Sequence, residues 1–272
     1  MLDELFATQK PVIGVIHLLP LPGSPRWDGH IEPVCLRAEQ EAAALATGGV
    51  DAIIVENFFD APFTRGRVDT STACAMSVVI KRMMAICELP IGVNVLRNDG
   101  LTALAVATAV GAQFIRINVL TGAMVTDQGI IQGDAHDLLM YRKQLLAHKQ
   151  VKILADVMVK HATPLGTGAD IELMAKDTVV RALADGIIVS GTATGNAPTE
   201  ADLQAVRQAV PSTPLFVGSG TTLENVDSLL RTADGIIVAS SLKRQGQIEN
   251  PVDVERVRAM VNAVKRCAQA VG

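Results

Sequence analysis

Eight short runs rich in valine and isoleucine recur along the chain: Val12–Leu18, Asp51–Phe58, Pro90–Leu96, Phe114–Leu120, Val151–Val159, Gly186–Gly191, Pro214–Gly220 and Gly235–Ser241. Most are continuous apolar stretches, whereas a half-exposed strand would alternate. Parallel strands covered by helices on both faces read this way. Their starts lie 21 to 39 residues apart, room for one crossover helix in each interval. Helical spacing fills those intervals at Ala38–Leu45, Ser71–Ala85, Leu101–Val110, Ala135–His148, Ile171–Ala184, Glu200–Ala209, Leu223–Leu230 and Val252–Ala270. The last of these puts Val254, Val257, Val261, Val264 and Ala268 on one face, opposite Arg256, Lys265 and Arg266. Thr199-x-x-Asp202 and Thr221-x-x-Glu224 are spaced as capping boxes opening the sixth and seventh helices.

Eight strand-then-helix units with no linker between them predict an α/β protein, a single (β/α)8 TIM barrel over residues 1–272. Residues 1–11 form an N-terminal extension. The length agrees, since such barrels take ~250 residues. An open doubly wound sheet would place a GxGxxG turn after the first strand. This chain has Leu19-Pro-Leu-Pro-Gly-Ser-Pro there, which cannot open a helix, and no dinucleotide motif is present. A weak repeat, Asp51-Ala-Ile-Ile-Val, Asp185-Gly-Ile-Ile-Val and Asp234-Gly-Ile-Ile-Val, recurs at the second, sixth and eighth strands. In a barrel these even-numbered strands share one side-chain layering.

Composition narrows the function classes. The chain is 49% apolar and 19% charged, which excludes intrinsic disorder. Its 24 Lys and Arg against 28 Asp and Glu give a net charge of −4, and only 3% of residues are aromatic. It therefore lacks both the field and the stacking platforms of a nucleic-acid binder. The longest near-apolar stretch, Leu101–Ala112, falls far short of the ~20 residues that span a bilayer. The acidic start MLDELFATQKP lacks signal-peptide character, so the expected location is the compartment of synthesis. Cys35, Cys74, Cys87 and Cys267 show no CxxC pairing, and the expectation is free thiols without zinc.

A barrel builds its site where strands end and βα loops begin. Polar residues gather at those ends on all eight strands. Glu56, Asp156, Lys160 and His161 are the catalytic candidates. A lysine desolvated beside a carboxylate can act as acid, base or Schiff-base former, and a structural ion pair is the alternative. His17, Asn57, Asn94, Arg97, Arg116, Asn118 and Thr192 are the substrate-binding candidates. Strand alternation puts Arg116 with Asn118, and Asp156 with Met158 and Lys160. Gly218, Ser219 and Gly220, with Ser240 and Ser241, form a small-residue corner suited to phosphate, unless they serve only as turns. The carboxylates could also hold Mg²⁺, though no spacing rule selects a metal site. Two long loops, Leu19–Pro33 and Thr121–Asp134, and the aromatics Phe58, Phe59 and Phe63 supply either a lid, a partner surface or ordinary packing.

Several strings carry a resemblance over nearly the whole chain. They are Val12-Ile-Gly-Val-Ile-His-Leu-Leu-Pro-Leu-Pro, Ile53-Ile-Val-Glu-Asn-Phe-Phe-Asp-Ala-Pro-Phe, Gly92-Val-Asn-Val-Leu-Arg-Asn-Asp, Phe114-Ile-Arg-Ile-Asn-Val-Leu-Thr-Gly-Ala-Met-Val-Thr-Asp-Gln-Gly, Ile153-Leu-Ala-Asp-Val and Val159-Lys-His-Ala, with Ser190-Gly-Thr-Ala-Thr-Gly, Gly218-Ser-Gly and Val238-Ala-Ser-Ser-Leu-Lys. Together they resemble the BtpA family. The resemblance implies a factor for photosystem I biogenesis or stability, with photosystem I proteins or assembly factors as partners. It also implies peripheral attachment to the cytoplasmic side of the cyanobacterial thylakoid membrane. The alternative it leaves is a soluble lyase, isomerase or transferase acting on a small phosphorylated sugar or nucleoside-like substrate. It assigns no reaction and leaves homo-oligomerisation open.

Overall fold

The eight apolar runs form eight parallel strands that close on themselves. They are β1 (Val12–His17), β2 (Ala52–Glu56), β3 (Ile91–Asn94), β4 (Phe114–Ile117), β5 (Lys152–Val157), β6 (Gly186–Val189), β7 (Leu215–Val217) and β8 (Gly235–Val238). The strands pair in chain order, and β8 pairs with β1 to complete a TIM barrel. The structure is a computed structural model that describes residues 5–6, 8–166, 170–191 and 195–271. Eight α-helices among these residues follow the strands: α1 (Ile31–Gly48), α2 (Thr70–Met84), α3 (Gly100–Val110), α4 (Ala135–Gln144), α5 (Ile171–Lys176), α6 (Glu200–Ala209), α7 (Val226–Leu229) and α8 (Val254–Val271).

The helices depart from the sequence expectation in three places. Helix α1 starts at Ile31, ahead of Pro33, because proline is tolerated in a first turn whose amides have no intrahelical acceptor. Helix α5 gives way at Asp177 to a wide π turn through Arg181. Helix α7 begins only at Val226, so Thr221 is not its cap. The turn there is held instead by Asn225, whose Oδ1 accepts from the Thr222 amide, and by Thr222, whose hydroxyl accepts from the Glu224 amide. The other capping motif forms as spaced: the Thr199 hydroxyl accepts from the Asp202 amide.

The segment Thr121–Asp134, read above as a loop, contains a β-hairpin. Ala123–Thr126 pairs antiparallel with Gly129–Gln132, and Ala162–Pro164 joins on the other side. Its alternation explains it. Met124 and Ile131 turn inward onto Val119 and Val159, while Val125 and Ile130 face out, and Gly129 takes the left-handed turn conformation (φ +96°).

Inside the barrel, Ile13, Val15, Ala52, Ile54, Phe114, Leu154, Ile188, Phe216 and Ile237 form one apolar column. Phe6, from the N-terminal extension, packs into the same column with its ring centroid 6.2 Å from Phe114 and 5.9 Å from Phe216. Gly92 makes room for Phe114, whose ring would lie 2.2 Å from a Cβ there. The repeated aspartates tie neighbouring strands together. Asp51, Asp185 and Asp234 accept from the amides of Val12, Ile153 and Leu215 at 2.8, 2.8 and 2.9 Å. Because alternate residues of a strand share a face, the inward positions continue upward from Val15 to His17, Ile54 to Glu56, Phe114 to Arg116, Leu154 to Asp156 and Ile188 to Ser190. The apolar column is thus topped, at the C-terminal end, by a polar layer.

Candidate functional site

Arg116 is the centre of that layer and is only 2% exposed. Its Nε and Nη2 donate to the two oxygens of Asp156 at 2.8 and 2.9 Å, and its Nη1 donates to Glu56 at 3.2 Å. Asp156 also accepts from Ser190 at 3.2 Å and from Asn118 at 3.4 Å. On the far side of Glu56, His17 Nε2 lies 3.6 Å from the carboxylate, and the His17 ring packs on Phe58 with centroids 4.4 Å apart. Burial would raise the Glu56 carboxyl, but His17 and the Arg116 guanidinium reverse this and hold it at about 2. Burial would lower Arg116, yet its two carboxylates hold it above its ordinary value. Burial pushes His17 down, against the pull of Glu56, and favours the neutral imidazole. Gly218 leaves space for this network, since a Cβ there would lie 2.5 Å from Ser190 Oγ and 3.3 Å from Arg116 Nη2.

Two cavities meet at this layer. The wider, about 540 Å³, is lined among others by Asn94, Arg97, Asn118, Asp127, Lys160 and His161. The narrower, about 30 Å³, is walled by His17 and by the corner residues Gly218, Ser219, Gly220, Thr221, Ser240 and Ser241. Glu56, Phe58, Arg116 and Lys160 line both.

Of the catalytic candidates, Glu56 and Asp156 are held by Arg116. Lys160 does not pair with Asp156: its ammonium has no hydrogen-bond or ion-pair partner among the described residues. Strand β5 ends at Val157, and Met158 takes φ +52°, so the alternation does not carry through to Lys160. Lys160 reaches the mouth from the turn that follows. Arg97 Nη2 donates to the Lys160 carbonyl at 2.8 Å and fixes that turn. Burial and the nearby Arg116 charge lower the Lys160 ammonium, although Glu56 and Asp156 oppose them. His161 lies at the exposed rim, where burial and the Lys160 charge lower its imidazole.

Among the binding candidates, Asn94, Arg97, Arg116 and Asn118 line the wider cavity and His17 the narrower. Asn94 Nδ2 donates to the Arg116 carbonyl and to Asn118, and its buried Oδ1 has no partner among the described residues. Asn57 serves the framework instead. Its amide donates to Asp60 at 2.9 Å, and its Oδ1 accepts from the Leu96 amide at 2.7 Å. Thr192 lies outside the described residues. In the corner, the Ser219 hydroxyl donates to the Asn196 carbonyl at 2.7 Å and the Ser241 hydroxyl to the Thr221 carbonyl at 2.5 Å. Gly220 (φ +70°) admits the close approach of other backbone, since a Cβ there would sit 2.1 Å from the Ala197 nitrogen. The buried hydroxyl of Thr221, in contrast, has no partner among the described residues.

Sequence reasoning missed Asp127 and Thr221. Asp127 sits in the hairpin turn between Thr126 and Gly129, and the turn brings it to the cavity wall. The available signal was the alternation on either side of Asp127-Gln128-Gly129. Among the described residues no group of three or more His, Cys, Asp or Glu could hold a metal ion, and no helix is long and apolar enough to cross a membrane.

Fold and site together define a TIM-barrel protein with a buried ion-pair network at the C-terminal mouth and a cavity beside it. The chain belongs to the BtpA family, whose profile matches residues 8–266. It is 54% identical to the "Photosystem I biogenesis protein BtpA" of Synechocystis, over 97% of this chain and 91% of that one. It is 46% identical to an uncharacterised protein of Thermococcus kodakarensis, over 96% of this chain and 98% of the relative. Among solved structures, N-(5'-phosphoribosyl)anthranilate isomerase from Pyrococcus furiosus superposes with TM-score 0.55 at 14% identity. That superposition covers 94% of this chain and 99% of the isomerase, and it bears on fold alone.

Proposed function

We propose that the protein binds a small phosphorylated molecule at the barrel mouth and that this binding serves photosystem I biogenesis. The observation that carries the ligand reading is the presence, in the lining of one cavity, of an ammonium (Lys160) and a buried hydroxyl (Thr221) that have no partner among the described residues. A buried polar group without a partner costs stability, so its retention suits a group that finds its partner in a ligand. Lys160 supplies the countercharge, the Thr221 hydroxyl a donor, and the corner amides further donors. The photosystem I context rests on the 54% identity to the Synechocystis relative and on what that relative is called. Attachment to the thylakoid, if direct, is peripheral in this reading.

A second reading, a metabolic enzyme acting on a phosphorylated sugar or nucleoside-like substrate, is favoured by the reach of the family into an archaeon. One experiment addresses the ligand part of both. Thermal unfolding is followed with inorganic phosphate, dihydroxyacetone phosphate and ribose 5-phosphate, for the wild type and for Thr221→Val. A ligand at 100 times its Kd stabilises by about 2.7 kcal/mol, a rise of several degrees for a chain this size. Thr221→Val should keep or raise the ligand-free Tm, because it removes an unpaired hydroxyl, and should lose most of the ligand-induced rise. Equal rises in both proteins would remove Thr221 from the site, and no rise with any phosphate would end the ligand reading. Complementing a deletion strain with Thr221→Val then asks whether photosystem I accumulation uses the pocket.

A further inference from the structure

We propose that Lys160 forms an imine with the carbonyl group of a phosphorylated aldehyde or ketone bound at the mouth. This rests on the reading of the mouth as a phosphate-ligand site and names the class of molecule that site takes.

Placement comes first. Glu56, Phe58, Arg116 and Lys160 line both the phosphate corner and the wider cavity, and Lys160 is the only amine among them. A molecule with its phosphoryl group in the corner and its carbon skeleton in the wider cavity must pass this junction. Two other buried cations among the described residues have carboxylate partners. Arg116 serves two carboxylates, and Lys243 is bonded to Glu41 at 2.6 and 2.7 Å. The Lys160 ammonium has neither kind of partner among the described residues.

The backbone holds this amine in place. Met158 (φ +52°) and His161 (φ +56°) flank Lys160 in the left-handed region, which non-glycine residues occupy at a cost. The Arg97 guanidinium, itself 5% exposed, clamps the intervening carbonyl. Strained backbone held by a buried side chain is the arrangement expected where a side chain must be aimed. Burial and the Arg116 charge also lower the ammonium's proton affinity, so more of the amine is in the nucleophilic form near neutral pH.

The surrounding walls define the rest of the ligand. Phe58, Phe63 and Leu96 give the wider cavity an apolar side, and Asn94 and Asn118 give it a polar one. Walls of that mixed character suit a short hydroxylated carbon chain, which makes the class a phosphorylated hydroxy-aldehyde or hydroxy-ketone. The neutral Nζ attacks the carbonyl carbon, forming a C–N bond as the carbonyl π pair moves to oxygen. That oxygen takes one proton from the attacking nitrogen, a second proton from solvent lets the resulting hydroxyl leave as water, and the nitrogen lone pair closes the C=N bond. One water is released for each C=N bond formed. The product iminium faces the Glu56 carboxylate, which its low pKa keeps ionised.

The test is reductive trapping. The intact protein is incubated separately with glyceraldehyde 3-phosphate, dihydroxyacetone phosphate and unphosphorylated glyceraldehyde, each with sodium cyanoborohydride, and lysines are mapped by peptide mass spectrometry. In parallel, the same three probes are examined by thermal shift. The expected result is a mass increase on Lys160 equal to the probe less one oxygen. Labelling by the phosphorylated probes should be at least tenfold greater than by glyceraldehyde and suppressed by inorganic phosphate. Lys160→Arg should lose it while circular dichroism shows the fold retained. Thermal stabilisation by the phosphorylated probes with no label on Lys160 overturns the imine and leaves the phosphate reading standing. Label on Lys160 that is equal for all three probes and indifferent to phosphate supports the imine and overturns the phosphate reading. Label confined to other lysines, with no stabilisation, overturns both.

Discussion

Replacing Arg116 by methionine removes the one cation that two buried carboxylates share. Asp156 loses two hydrogen bonds of 2.8 and 2.9 Å and keeps only those from Ser190 and Asn118, while Glu56 loses one of 3.2 Å. Breaking a buried ion pair from one side typically costs about 3–5 kcal/mol, because it strands a charge in a poorly solvated place. The bonds remaining to Asp156 soften that cost, so about 4 kcal/mol is expected for Arg116→Met at pH 7. At roughly 2–4 °C per kcal/mol, Tm should fall by about 8–16 °C. The pH dependence carries the sharper sign. In the wild type, the Glu56 carboxyl is held at about 2, below its ordinary 4.5. Its contribution is therefore fully present above 4.5 and is lost as pH falls through about 2. In Arg116→Met, the Glu56 carboxyl loses one of the partners that hold it down and rises from about 2, while His17 still holds it. Acid then costs the variant less than the wild type, so its deficit against wild type should be smaller at pH 3 than at pH 7. Urea unfolding at the two pH values reads both effects, and a double-mutant cycle with Asp156→Asn reads the coupling. A deficit below 1 kcal/mol at pH 7, or one that does not change with pH, would refute the reasoning.

Two further outcomes follow from other parts of the molecule. Lys243 and Glu41 are 0% and 1% exposed and bonded at 2.6 and 2.7 Å, so Glu41→Leu alone should cost about 3–5 kcal/mol in urea unfolding, whereas Glu41→Leu with Lys243→Met should recover most of it. If the chain associates with thylakoids in cells, carbonate and high-salt washes should release it into the supernatant, since no helix among the described residues can span a bilayer; retention in the washed pellet would contradict peripheral attachment.

The barrel is legible in the sequence because a strand buried on both faces leaves an unmistakable run of Val and Ile, and each such run here starts within one residue of an observed strand. The ends are less legible. Helix α7 shrank to Val226–Leu229 because Asn225 and Thr222 spend their side chains on a turn, an outcome that Thr221-x-x-Glu224 spacing cannot anticipate. The hairpin over the mouth was missed because its strands of four residues look like a glycine-rich loop until their alternation is counted. Gly220 read as an opening for an anion, but its lack of a side chain admits the Asn196–Ala197 backbone. A carboxylate placed there would displace that backbone, so Thr221→Val is the cleaner probe of the corner.

What the sequence could not divide is the polar layer itself, because residue type and strand position are the same for a scaffold group and a ligand group. The division comes from partners. Glu56, Arg116 and Asp156 satisfy one another, and Asn57 satisfies Leu96 and Asp60, so their charges and amides are spent on holding the mouth open in one shape. Asn94 Oδ1, Thr221 Oγ1, His17 Nδ1 and the Lys160 ammonium remain unspent among the described residues, and all four residues line the two joined cavities. An apolar core of the same shape would have cost less stability than these unpartnered polar groups around a network of buried charges. Their expense is best offset by a bound molecule that has, in order along its length, an acceptor for Thr221, an electrophile for Lys160 and a donor for Asn94.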